Sequence, residues 1–346
     1  MPFEIVPSGT NINFLGRRQV CLVISLLLIA SGVAAVFARG GVPLGIDFIG
    51  GTEIQMLFDD DVSTDEAQIR EVVRSAGFAD ATVVRFGEEG VNEYLVRFKA
   101  DPQVESSEES DGDSAVVVDG LASNTRIMAL EEIIRGSIGG FTEQRVEFVG
   151  PRVGAELRSD GANALFFSAL AILAYVAFRF NARFAPGAVV AVIHDLTITS
   201  GLLVMVGVEF DLRILAAMLA ILGYSLNDTI IIYDRIRENM ELRTTADLEE
   251  VLNTSVNQTL SRTVLTSITT SLALLSLYFL GGEVIQPFAF AMLLGVGVGT
   301  YSSIFIASPL LLFLERRYGD AGGNVGKGRK SGSAGTGRGP NQAARV

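Results

Sequence analysis

The sequence predicts an α-helical polytopic membrane protein: six transmembrane helices, with one small α+β domain inserted between the first and the second. Three observations carry this. The 346 residues are 49% hydrophobic with a mean hydropathy of +0.41, yet their formal net charge is −12. Six stretches are apolar over the roughly 20 residues of helix that a hydrocarbon core about 30 Å thick requires. The acidity is also segregated: residues 40–160 hold 25 Asp and Glu against 10 Lys and Arg, and the remainder holds 14 against 17. A single soluble domain is excluded by that division. The strong acidity argues against nucleic acid as a partner, because phosphates release counterions only to clustered Lys and Arg. Cys21 is the one cysteine and His194 the one histidine, which excludes an intramolecular disulfide and a Cys/His zinc site. No metal or cofactor is expected.

The spans are placed at 20–38, 162–180, 184–208, 212–233, 263–280 and 284–314, the last opening with an interfacial turn at Pro287. Arg17 and Arg18 precede the first span. Its apolar run exceeds the usual signal-peptide core of about 7–15 residues, so an uncleaved anchor is expected rather than a cleaved leader or a twin-arginine signal. Arg179 and Arg183 lie between spans two and three, Arg235, Arg237 and Arg243 after span four, and Arg316, Arg317, Lys327, Arg329 and Lys330 after span six. The loop 208–212 and the loop 281–283 carry no such group, and Arg213 stands alone beside the first of them. The excess of positive charge puts both termini in the cytoplasm and residues 39–160 outside.

The external segment reads as β-α-β-β-α-β. Residues 52–58 alternate as a half-buried strand. Ser63 and Glu66 fit a capping box for a helix that stops at Gly77. Residues 81–86 and 94–99 are two more strands, residues 101–113 a Glu/Ser/Asp loop, residues 121–138 a second helix, and residues 142–149 a last strand. This order is the split-βαβ, ferredoxin-like one. Glycine-bearing motifs flank it at 45–51 and 149–154. The first lacks the Lys-Ser/Thr and the helix N-terminus of a phosphate loop, so both read as turns joining the domain to the membrane. No Ser/His/Asp or Cys/His set exists outside the membrane, so hydrolytic catalysis is not expected.

Ionisable residues inside spans are costly and point to function. Asp228 lies in span four within Leu226-Asn227-Asp228-Thr229, Arg262 opens span five on the same side, and His194 and Asp195 sit at the middle of span three. Burial favours a protonated carboxyl and a neighbouring guanidinium favours the ionised one. Arg cannot release its proton. Protonating Asp228 would therefore leave Arg262 without its partner and give spans four and five a reason to rearrange. Proton or sodium would both suit a carboxylate between Asn227 and Thr229. His194–Asp195 reads equally as an extension of the relay or as an inward-facing pair without a transport role, and Arg262 equally as a snorkelling residue. Gly295, Gly297 and Gly299 in span six read as sites of close helix contact. Residues 245–260 carry Leu248, Val251, Leu252 and Val256 at helical spacing, which suggests a short amphipathic helix within a cytoplasmic loop 235–260. The Gly-rich, basic residues 316–346 read as a disordered tail. The chain thus divides into an N-terminal segment 1–19, the anchor 20–38, the domain 39–160, the bundle 161–315 and the tail.

Three motifs resemble a known family: Gly-Ile-Asp-Phe-Ile-Gly-Gly-Thr (45–52), Val-Glu-Phe-Val-Gly-Pro-Arg-Val-Gly (146–154) and Leu-Asn-Asp-Thr-Ile-Ile-Ile-Tyr-Asp-Arg-Ile-Arg-Glu-Asn (226–239). Each stands where the SecF members of the SecD/SecF export family, relatives of the RND exporters, carry it. Gly45, Asp47, Gly50, Gly51, Gly150, Pro151, Gly154, Asn227, Asp234 and Arg235 are the motif residues so matched. The resemblance covers about residues 10–315. It implies a bacterial inner-membrane protein with a periplasmic domain, working with SecD, the SecYEG channel and YajC on unfolded preprotein. It also implies a proton flow through the membrane part, with the family's intramembrane Asp and Arg falling on Asp228 and Arg262. Two other readings stand beside it: half of an RND-type small-molecule exporter, and a passive assembly or sensory protein. The cost of burying Asp228 argues against the last.

Overall fold

The computed structural model describes residues 7, 10–79, 81–86, 91–98, 112–180, 184–243, 246–282 and 284–318. The acidic stretch 101–111 and the tail beyond residue 318 lie outside them. Ten helices and four strands follow in chain order: α1 Arg18–Ala38, α2 Ile46–Ile49, β1 Gly51–Phe58, α3 Glu66–Ser75, β2 Thr82–Phe86, β3 Glu93–Phe98, α4 Gly112–Ser137, β4 Phe141–Val149, α5 Pro151–Phe180, α6 Ala185–Val206, α7 Leu212–Leu242, α8 Leu248–Leu280, α9 Gln286–Ser302 and α10 Ser308–Tyr318. A π-helical turn, Ser303–Ala307, joins the last two. Among the described residues, six helical segments are long and apolar enough to cross a membrane: Leu15–Ala38, Pro151–Arg179, Ala185–Val206, Leu212–Leu242, Leu248–Leu280 and Gln286–Arg317.

The four strands form one sheet in the order β2-β3-β1-β4, every neighbour antiparallel. That is the expected split-βαβ order. One face of the sheet alternates inward as β1 does, with Ile54, Met56 and Phe58 essentially inaccessible. Ile69 and Val73 of α3 and Ile127, Leu130 and Ile134 of α4 close over that face and complete the core. The local start of α3 differs from the expected capping box. Asp65 is the N-cap, accepting the N–H of Gln68 at 2.8 Å, while Glu66 accepts the N–H of Arg85 at 3.1 Å. The nearer carboxylate displaces Ser63 because Asp is as good a cap as Ser and leaves Glu66 free for the strand.

Glu131 of α4 lies beside Glu143 of β4. Loss of hydration and then the neighbouring carboxyl push Glu131 up to about 7 from the usual 4.5, with Arg135 opposing. The folded domain therefore holds this proton more tightly than the unfolded chain, so stability falls as pH rises from about 4.5 through about 7. Glu131→Gln is expected to raise the melting temperature at pH 8 relative to the parent by more than it does at pH 5. Thermal unfolding of the full chain in detergent at both pH values measures this.

Two long helices overrun their expected spans. α5 starts at Pro151, so residues 149–154 are a strand end running into a helix rather than a free turn. Proline at the first helical position costs no hydrogen bond there. α8 is continuous from Leu248 to Leu280, so Leu248, Val251, Leu252 and Val256 belong to the spanning helix and form no separate surface helix. Their apolar face is covered: Leu252, Val256 and Leu260 join Phe14, Leu15, Tyr233, Ile236 and Leu311 in one cluster. The N-terminal segment straps this region through Ile12 and Phe14, whose N–H groups donate to Asn257 (2.8 Å) and Asn253 (2.9 Å). Arg18 and Arg316 both reach Glu249, at 2.8 and 3.0 Å. The spans pack closely where side chains are absent. A Cβ on Gly32 of α1 would lie 2.8 Å from the Gly201 Cα of α6, and Gly295 and Gly299 press against Ile221 and Ser225 of α7. Gly297 faces open space, so it is no contact site.

Candidate functional site

A polar layer divides the bundle. Towards the domain lies an apolar cluster with Leu203, Ile214, Ile221, Met292 and Val296; at the far end lies the cluster around Tyr233 and Leu252. Between them are the buried polar side chains of His194, Asp195, Ser225, Asp228, Thr229, Ser302 and Ser303. They come from α6, α7 and the joint of α9 with the π-helical turn, which places the layer at the middle of those helices.

Asp195 is the most heavily bonded member. Its Oδ2 accepts from Ser225 Oγ and from Ser302 Oγ (2.7 Å), and its Oδ1 lies 2.9 Å from His194 Nδ1. The chain of bonds goes on to α1: His194 Nε2 is 2.9 Å from Ser25 Oγ, Ser25 Oγ is 3.0 Å from the Tyr301 hydroxyl, and that hydroxyl donates to the Cys21 carbonyl at 2.6 Å. Counting hydrogens along it is informative. Tyr301 spends its only hydrogen on Cys21, so Ser25 must donate to Tyr301, and His194 Nε2 must donate to Ser25. His194 Nδ1 and Asp195 Oδ1 then need a second hydrogen between them. The whole chain is satisfied only when the His194–Asp195 pair holds one proton more than a neutral imidazole and a carboxylate together.

Asp228 is the opposite case. It is 1% exposed, and its Oδ2 has no hydrogen-bond partner. It lies three residues beyond Ser225 on α7, so the two share a face, neighbours by the helical repeat. Thr229, the next residue, bonds Ser303 at 2.9 Å, and Tyr233 donates to the Ala307 carbonyl at 3.1 Å. Ser308 donates to the Ser303 carbonyl at 3.1 Å. Two of these hydroxyls meet carbonyls of the π turn itself, a way for irregular backbone to persist at membrane depth.

The expected Asp228–Arg262 pair is not formed. Arg262 is exposed near the middle of α8, and among the described residues it makes no ion pair with Asp228. The physical reason is face: Thr259 and Thr263 turn inward on α8, and Arg262 between them points out. Asn227 is likewise exposed, and so is Asp234. Arg235 bonds Gln258 (2.6 Å) and Glu238 (2.5 Å), and the buried Asn239 bonds Ser255 (2.8 Å) and Gln258 (2.9 Å), which fastens α7 to α8.

The glycine motifs interlock at the domain end. Gly50 has φ +74°, and a Cβ there would meet the Pro151 Cα at 2.7 Å; one on Gly154 would meet the Gly50 nitrogen at 2.8 Å. Gly154 donates to the Gly150 carbonyl at 2.9 Å. Gly51 pairs with Val149 as β1 and β4 begin and end. Gly45 donates to the Phe210 carbonyl (2.7 Å), and Asp47 accepts the N–H of Leu212 at 2.9 Å. Ser25, Ser225, Tyr301, Ser302 and Asp211 were not legible as site residues. For the three serines the signal in the sequence was small polar residues within apolar spans, a pattern that also occurs wherever helices pack; Asp211 had only that of an acid ahead of a helix start.

Apolar helices around a buried ionisable layer, with a small domain on one face, define a multi-pass membrane protein of the transport kind. The model of the protein export membrane protein SecD/SecF C-terminal family matches residues 129–317, and that of the SecD/SecF GG motif matches residues 35–62. This chain belongs to the SecD/SecF family of protein export membrane proteins. The protein translocase subunit SecF of Desulfurispirillum indicum is 40% identical over 312 residues, 89% of this chain and 93% of that one. The SecF subunit of Pseudomonas aeruginosa is 40% identical over 306 residues, 88% of this chain and 92% of that one. Among solved structures, the crystal structure of SecDF from Thermus thermophilus, described as a translocon-associated membrane protein, has a TM-score of 0.75 at 36% identity. It covers 89% of this chain, which spans only 39% of that longer one.

Proposed function

We propose that this chain is a SecF-type subunit of the protein-export machinery of a bacterial inner membrane. Its termini face the cytoplasm and its domain the periplasm. With a SecD-like partner, beside the SecYEG channel and YajC, it uses proton flow to drive late movement of unfolded preprotein, and it carries no hydrolytic site. The observation that carries this reading is Asp228: a carboxylate buried at mid-bundle with an unpartnered oxygen. Such a group is costly when ionised, and a proton removes the cost. The likeness to a solved SecDF chain supports the SecD-like partner. An RND-type exporter half-unit is the second reading, and the single small external domain speaks against a complete exporter. Preprotein translocation into inverted vesicles, with and without a proton gradient, tests the proposal. Gradient-dependent completion should require this chain, and completion without it would refute the role.

His194, Asp195, Ser25 and Tyr301 extend the relay by the shared proton counted above. Arg262 is the proposed countercharge to ionised Asp228, reached by rotation of α8. Arg262→Lys keeps the charge but loses the planar fork. Export is expected to slow without stopping; unchanged kinetics in the vesicle assay would leave Arg262 as a snorkelling residue on the bundle surface.

A further inference from the structure

The glycine-bearing motif at residues 45–51 touches neither Asp228 nor the polar layer, so a proton relay alone gives it nothing to do. The contacts of Asp47 suggest a task. Leu212 is the first residue of α7, and its N–H is one of the groups that a helix start leaves without an intrahelical partner. Asp211 caps from within the chain, accepting the N–H of Ile214 at 2.9 Å. The Leu212 N–H goes instead to Asp47, 165 residues away in the sequence. A parallel bridge, Leu44 with Phe210, fixes the same loop, with Gly45 donating to Phe210 and Phe210 donating to Pro43, both at 2.7 Å.

Asp47 is itself rigidly held. It sits in α2, one turn that runs through Gly50 and Gly51 directly into β1. Gly50 is locked against Pro151 and Gly154 of α5, where no side chain would fit. A second arm grips the loop from the sheet: Arg97 of β3 bonds both Glu53 of β1 and Glu209. The start of α7 is therefore pinned to the domain from two directions. From Leu212 to Asp228 is sixteen residues of unbroken helix, roughly 24 Å at 1.5 Å per residue.

We propose that Asp47 is a positioning residue that couples α7 to the external domain, so that displacement of α7 at Asp228 is delivered to β1 through the Asp47–Leu212 bond. This rests on the proton-carrier reading of Asp228. Three features distinguish the coupling from ordinary capping: the acceptor comes from the domain, it sits on a stiff turn, and it holds the same helix that carries Asp228.

The test uses the full chain with its SecD-like partner in proteoliposomes, labelled at Cys substituted for exposed Glu71 in α3 and for exposed Val42 beyond α1, with Cys21 replaced by Ser. Two signals are followed as the pH changes: proton uptake, and the distance between the labels. Asp47→Ala is expected to keep the uptake and lose the distance change together with export. Asp47→Asn keeps a carbonyl oxygen for the Leu212 N–H and is expected to restore the distance change. A normal distance change in Asp47→Ala overturns the proposal, as does loss of both signals, which would make Asp47 a cap and nothing more. Failure of Asn to rescue also overturns it. If Asp228→Asn itself leaves uptake unaltered while Asp47→Ala abolishes the distance change, the proton-carrier reading fails and the coupling of α7 to the domain survives.

Discussion

Asp228→Asn is expected to insert, fold and join its partner normally, yet reduce gradient-dependent export to the level of membranes lacking the subunit. The two side chains have nearly the same shape. The wild-type Oδ2 has no hydrogen bond to lose, so an amide in its place breaks none there. What it removes is the ability to exist in two charge states. An amide cannot be protonated in this range, so α7 would stay in the arrangement that suits a neutral side chain. Asp228→Glu keeps the ionisable group but adds a methylene at a position only 1% exposed. It should retain part of the activity at the cost of local repacking. The export assay in inverted vesicles reads both variants, with insertion and complex formation checked by co-purification. Full gradient-dependent export by Asp228→Asn would remove Asp228 from the mechanism.

The largest effect on stability is expected at Asp195. Alanine there would leave Ser225, Ser302 and His194 without their common acceptor in the bundle interior. Removing one member of a buried, hydrogen-bonded charged set costs about 3–5 kcal/mol, because the groups left behind stay desolvated and unpaired. α6, α7 and α9 meet at this point, so the loss would loosen the whole layer. Asp195→Asn keeps one acceptor oxygen and places an NH2 group against the serines or the histidine. Its cost should be smaller, with export still impaired because the extra proton of the His194–Asp195 pair has no place. Detergent melts of the two variants provide the comparison: an Asp195→Ala melting temperature equal to wild type would contradict the bonding pattern.

Much of this architecture was legible from the sequence because its signals are strong in physical terms. Apolar runs of about 20 residues have few alternatives to spanning. The alternation in residues 52–58 and the helix stop at Gly77 placed the domain's elements within a residue or two of β1 and the end of α3. What escaped was tertiary. Leu248, Val251 and Leu252 have the spacing of a surface amphipathic helix, and it takes α7, α10 and the N-terminal strap over Asn253 and Asn257 together to cover that face. Ser63 and Asp65 are both competent caps, and chain geometry chose between them. The π turn at Ser303–Ala307 has no composition of its own; it depends on hydroxyls from Thr229, Tyr233 and Ser308.

The site divides the same way. Asp228, His194 and Asp195 stand out in any apolar span, and the structure buries all of them in one layer. Facing is harder: a shift of one residue on a helix turns a side chain by about 100°. That is enough to send Arg262 outward while Thr263 beside it is buried. Asp47 was legible as a motif residue but not as the cap of a helix more than 160 positions further on.

The central claim is that Asp228 takes up and releases a proton in the course of the cycle. Infrared difference spectroscopy of the chain with its SecD-like partner, between alkaline and acidic pH, observes the carbonyl stretch of a protonated carboxylic acid directly. Glu131 contributes to this region in every variant, so the account predicts a further component of the band in the wild-type complex and in Arg262→Lys that is missing from Asp228→Asn. A band unchanged in Asp228→Asn would contradict the account.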